Sequence, residues 1–156
     1  MVDSRKLRID ITNWRWLNAD VRLRNRSCFD RGMSKAESKA QTLQKRLIVF
    51  ATEIVKISAT LPKTMQATHI GKQILRSGTA AAANYGEARG AESRSDFVHK
   101  LRIVLKELNE TEIWLDLINA SSLLAKDKTA RIIAENEELC RIIAASIKTA
   151  GGFDRS

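Results

Sequence analysis

Leu43, Leu47, Phe50, Ile54, Ile57 and Leu61 follow one another at steps of 4, 3, 4, 3 and 4, and the chain's single proline, Pro62, comes directly after the last of them. In an α-helix, residues three and four apart share a face, so this spacing draws an apolar seam down one side of a helix at the coiled-coil period. Such a seam demands partner helices, and Pro62, which has no N–H to continue the ladder, ends this one. The stepping returns in Phe97, Leu101, Val104, Leu108, Thr111, Leu115 and Ile118, behind Ser93 and Asp96, which form a capping-box-like start with an acid in the Glu/Gln position.

Two further helices complete the set. One is predicted from about Met65 to Gly90, where Ile70, Ile74 and Leu75 give way to Gly78-Thr79-Ala80-Ala81-Ala82-Ala83. Small side chains let a neighbouring backbone come close, so the tightest helix contact is expected there. Gly78 and Gly86 each cost up to ~1 kcal/mol of helix propensity against Ala, which calls for a packing reason. The last helix, about Thr129 to Thr149, carries Ile132, Leu139, Ile142, Ile143 and Ile147 and is ended by Gly151-Gly152. Short connections at 62–65 and 90–92 make successive helices antiparallel, which predicts an all-α, antiparallel up-down-up-down four-helix bundle over residues 34–150, each long helix roughly 35 Å in length. Residues 1–33 are a basic N-terminal extension and residues 151–156 a tail.

Composition excludes several function classes. Cys28 and Cys140 stand far apart with no second thiol near either, so neither a zinc site nor a disulfide framework is indicated, and a reduced, cytoplasmic setting is expected. No apolar run reaches the roughly 18 residues that span a bilayer. Gly71-Lys72 lacks the preceding glycine of a phosphate-binding loop. His69 and His99 are single histidines without metal-ligand spacing, and no cofactor or catalytic triad is suggested.

The first 33 residues hold eight Lys/Arg against four Asp, with Trp14, Arg15 and Trp16 and the alternating Val21-Arg22-Leu23-Arg24. One reading is an arm that binds nucleic acid by phosphate contact and base stacking. The other is a tail without a fold of its own. A short β-ribbon through residues 20–26 has no partner strand.

Folding the four helices up and down polarises the net charge of +9. Lys35, Lys39, Lys45, Arg46, Arg89, Arg94, Lys100, Arg102, Lys106 and Lys148 gather toward one end, whereas Glu107 to Ala125 holds Glu107, Glu110, Glu112 and Asp116 and no Lys or Arg. A basic end is an electrostatic footprint for a polyanion. Alternatively these groups keep the bundle soluble, with Lys106 and Glu110 an ordinary i,i+4 pair. The division also lets copies of the chain attract one another head to tail. Beside the apolar stripe of the third helix runs a second, Lys100, Ile103, Glu107, Glu110 and Trp114, unusual for a solvated face. A catalytic or metal-holding carboxylate cluster is one reading of it, although neither histidine lies three residues after a Glu. Pairing with Arg76 or Lys100, within the bundle or across a subunit interface, is the more economical one.

Leu61-Pro62-Lys63-Thr64, Arg76-Ser77-Gly78-Thr79, Ala83-Asn84-Tyr85-Gly86-Glu87-Ala88, Asp96-Phe97, Leu105-Lys106-Glu107-Leu108-Asn109-Glu110-Thr111 and Trp114-Leu115, in this order and spacing, resemble the bacterial four-helix-bundle proteins encoded in intervening sequences of 23S ribosomal RNA genes. A related branch serves as the accessory variability protein of diversity-generating retroelements. The resemblance covers roughly residues 34–125, and Met33-Ser34-Lys35-Ala36-Glu37 looks like a natural start for the family, so residues 1–32 also read as an over-extended frame. It implies a ring-like homopentamer, no enzymatic activity, and RNA or a reverse transcriptase as partner. Arg89, Arg94, Lys100, Arg102, Lys106, Lys45 and Arg46 are then the nucleic-acid-binding candidates. Arg76, Asn84, Glu87, Glu107, Glu110 and Trp114 form the structural or interface polar set. A structural oligomer without nucleic acid and a metal-dependent enzyme are the rival classes.

Overall fold

The computed structural model describes residues 39–151. The basic extension through residue 33, its Cys28 and β-ribbon at 20–26, the predicted helical start at 34–38 and the tail beyond Gly151 lie outside the described residues. Four α-helices follow in order: α1 Lys39–Thr60, α2 Met65–Arg89, α3 Arg94–Ala120 and α4 Lys126–Gly151. At 1.5 Å per residue they are about 33 to 41 Å long. α1 packs on α2, α2 on α3 and α3 on α4, and α4 closes more loosely on α1. The result is the expected four-helix bundle.

Both apolar seams point inward. Leu43, Leu47, Phe50, Ile54 and Ile57 of α1 are buried, as are Phe97, Leu101, Val104, Leu108, Leu115 and Ile118 of α3. Ile132, Leu139, Ile142 and Ile143 face them from α4, with Ile147 packed partly against the core. α2 contributes Ile74 and Tyr85 together with the small side chains of Ala67, Ser77, Gly78, Ala81 and Ala88. A Cβ built on Gly78 would stand 2.8 Å from Ile54 Cγ2, so α1 and α2 approach there as only glycine permits. Gly86 has no such reason, since its Cβ would meet only Gln44 Oε1 at 3.7 Å. A Cβ built on Gly71 would stand 3.3 Å from Leu61 Cδ1, a close approach that leaves no trace in the spacing of the sequence.

The helix ends are set locally. Thr64 caps α2, its hydroxyl accepting from Ala67 N at 3.2 Å. Ser93 caps α3 by accepting from Asp96 N at 3.1 Å, and Asp96 Oδ2 accepts from the Glu92 N–H at 3.3 Å. The box is therefore reciprocal but reaches one residue further back than usual. α3 ends in a Schellman turn: Leu123 N–H donates to Ile118 O at 3.0 Å and Ser122 N–H to Asn119 O at 3.1 Å. Ser122, at φ 50°, holds the left-handed position usually given to glycine. α4 begins about three residues before its apolar pattern does, because Lys126-Asp127-Lys128 carries no core residue and leaves no periodic trace. Asp127 in that first turn suits the positive end of the helix dipole.

Candidate functional site

The polar set lies along the outer seam of α2 and α3. These helices run antiparallel, so residues late in one face residues early in the other. Lys100 Nζ donates to Glu87 Oε2 at 2.5 Å at one end. About three helical turns along, Arg76 donates to Glu110 Oε1 and approaches Glu107 Oε2 at 3.6 Å. Trp114 Nε1 donates to the same Glu110 oxygen at 3.2 Å, and the Trp114 ring takes His69 edge-on at 6.0 Å between centroids. Arg76 and Trp114 hold the Glu110 carboxyl below its usual range, and the guanidinium of Arg76 is raised in return.

Beneath this exposed row is a buried one. Glu107 is only 8% exposed, and its Oε2 has no hydrogen-bond partner among the described residues. Arg76 above it is the cation that offsets the charge. Thr111 donates to Ser77 Oγ at 2.9 Å, and both are fully buried. This hydroxyl pair joins α2 to α3 inside the core and stands outside the predicted polar set, since Thr111 occupies a core step of its stripe. Asn84 links to none of these groups; its amide donates to Ala80 O of its own helix at 2.9 Å.

The model of the 23S rRNA-intervening sequence proteins matches residues 39–145, which span α1 to α3 and most of α4. The chain belongs to that family. A solved member of the S23 ribosomal protein family from Bacteroides thetaiotaomicron VPI-5482, described as a protein of unknown function, is 36% identical, with a TM-score of 0.66. The match covers 70% of this chain and 97% of that one. No curated protein sequence matches the chain.

In this 23S rRNA-intervening sequence protein the basic candidates divide by what already holds them. Arg46 grips Glu135 of α4 with two bonds, at 2.5 and 2.9 Å, and is half-buried. Lys100 is committed to Glu87. Arg94 Nε donates to Ala150 O at 2.5 Å, fastening the start of α3 to the end of α4. Arg89 is half-buried in the last turn of α2, its Nε without a hydrogen-bond partner among the described residues. Lys45 is exposed on α1. Arg102 and Lys106 are exposed on α3, and no ion pair is formed by either among the described residues. Lys148 near the end of α4 is exposed too.

The remaining candidates are structural. Tyr85 is 1% exposed, which places its ring in the core and pushes its phenol pKa up. The Cys140 thiol donates to Asn109 Oδ1 at 3.5 Å and burial raises its pKa to about 11, the reverse of what a nucleophile needs. Among the described residues no three His, Cys, Asp or Glu side chains converge on one point. No helix among them is long and apolar enough to cross a membrane.

Proposed function

We propose that this 23S rRNA-intervening sequence protein is a non-enzymatic accessory that assembles with copies of itself and binds RNA or a ribonucleoprotein through its basic end. The observation that carries the reading is the exposed pair Arg102 and Lys106, one turn apart on α3, which form no ion pair among the described residues, Lys106 acting on Glu110 only through space. Carboxylates already occupy Arg46 and Lys100. A cation not held in a direct ion pair is the one whose contact with phosphate releases bound counterion most freely. Arg46, Lys100 and Arg94 then fix the basic end rather than contact the ligand, and Arg89 and Lys45 border it. Arg76, Glu87, Glu107, Glu110 and Trp114 hold α2 on α3.

The test is binding of a structured RNA at several salt concentrations by wild type and by Arg102→Glu with Lys106→Glu. The expected result is salt-dependent binding whose log–log slope falls by about 2 in the double variant, with helicity unchanged. Equal affinity in both proteins removes the basic-end reading. Binding of a reverse transcriptase with no RNA uptake moves the function to the retroelement branch.

A further inference from the structure

We infer that the outer face of the second half of α3, with the start of α2 beside it, is a docking surface for residues 14–26 of the same chain. The inference stands apart from the proposed function, since it concerns the pole away from the basic end and needs neither RNA nor a second copy.

Large apolar side chains are exposed in two groups among the described residues. Ile48, Val49 and Val55 of α1, with Leu75 of α2, make one; Met65 of α2 and Ile113 and Leu117 of α3, at 82%, 59% and 40% exposure, make the other. Register gathers the second group. α2 descends as α3 rises, with Glu87 bonded to Lys100, Arg76 to Glu110, and the His69 ring edge-on to Trp114. One further turn sets Met65 level with Leu117, which shares its flank of α3 with Ile113 and Trp114, four and three residues earlier. Met65, exposed His69, half-buried Trp114, Leu117 and Ile113 thus form one patch.

Charge tells the two groups apart. From Lys39 to Gly86 the chain has seven Lys/Arg and one acid, Glu53, whereas from Glu107 to Ala125 it has four acids and no Lys or Arg. Asp116 is exposed beside Leu117, and Glu112 and Glu137 of α4 both act on Cys140 where α3 meets α4. Of the cations nearby, Arg76 is held by Glu110 and Glu107. Lys72 borders the α2 side, and Lys126 and Lys128 come level only with the end of α3, where Thr129 bonds to Asn119.

Residues 14–26 carry two tryptophans, Leu17, Val21 and Leu23, with four Arg against one acid, Asp20. Such a segment is repelled from the α1 group and attracted to the α3 group. Its indoles suit Met65, whose thioether packs well against aromatic rings, and its arginines suit the surrounding carboxylates. Length permits the contact. Ile113 lies 19 residues beyond Arg94, about 29 Å from the pole where Lys39 begins α1, and the way round the bundle adds about 20 Å. Trp16 precedes Lys39 by 23 residues, which span about 75 Å when extended.

The experiment uses the full chain with its Ile, Leu, Val and Met methyl groups labelled for NMR, as wild type and in two variants, Trp14→Ser with Trp16→Ser, and Arg22→Glu with Arg24→Glu. Both variants leave the bundle's own residues untouched, and circular dichroism verifies that its helices persist. The expected result is that the methyl signals of Met65, Ile113 and Leu117 shift in each variant, and shift the same way when wild type is taken to high salt. Those of Ile48, Val49, Val55 and Leu75 stay in place. Patch signals that do not move, or larger shifts on the α1 side, overturn the inference. A shift that disappears on dilution of wild type places the segment of another copy on the patch and overturns it as well. RNA binding is read separately from the salt slope of the Arg102 and Lys106 variant, so failure here leaves the proposed function standing.

Discussion

Glu110 is the residue on which the α2–α3 seam turns, because it accepts from both Arg76 and Trp114. Its folded-state pKa is depressed, so the stabilisation from this contact is present above the unfolded carboxylate value and is lost as pH falls through the lower folded value. The window therefore lies below roughly pH 4. Arg76→Gln is expected to raise the Glu110 midpoint toward its ordinary value in an NMR titration. The stability gap between variant and wild type should narrow as the pH approaches 2. The sequence shows that Glu107 and Glu110 share a stripe and that Arg76 is a plausible counter-ion, because helical spacing is local. It does not show that Arg76 serves both carboxylates, or that Glu107 is the buried one. Those facts depend on where the stripe rotates when two helices dock. The Ser77–Thr111 bond is less legible still, since a hydroxyl at a core step reads as a tolerated small residue.

Element by element, packing and turn geometry outweigh propensity at identifiable positions. Gly78→Ala gains helix propensity yet places a Cβ 2.8 Å from Ile54 Cγ2, and a loss of about 1 to 3 kcal/mol is expected by denaturant melting. Gly86→Ala meets nothing closer than 3.7 Å and should stabilise by up to ~1 kcal/mol. The sequence marks both glycines alike, because the distinction lies in how near α1 comes. The end of α3 is similar. Ser122 holds φ 50° to complete the Schellman bonds, and Ser122→Gly is expected to stabilise by about 1 kcal/mol, the relief of left-handed strain. Ends with ordinary chemistry, Pro62 after α1 and Ser93 before α3, could be read in advance. The end of α3 and the start of α4, which lack a glycine stop and an apolar first turn respectively, could not.

Across the whole molecule the four contacts are unequal, and the loosest, between α1 and α4, carries the Arg46–Glu135 clamp. Arg46→Met is expected to cost about 1 kcal/mol and to raise amide exchange along the facing sides of α1 and α4 before it does so along α2 and α3. RNA affinity should change less than in the Arg102/Lys106 variant; an equal or larger loss would return Arg46 to the ligand surface. Charge polarity, legible from the sequence once the topology is assumed, survives in the fold, but the cations divide into clamps and free groups in a way only the tertiary partners reveal. The up-down-up-down path also brings Lys39 and Gly151 to the same pole. Any peptide or domain fused at either boundary of the bundle therefore emerges over the basic end, and affinity handles placed there would mask what they are meant to help detect. The opposite pole, with the connections at Pro62–Thr64 and Ser121–Ala125, is where a label can sit without obstructing it.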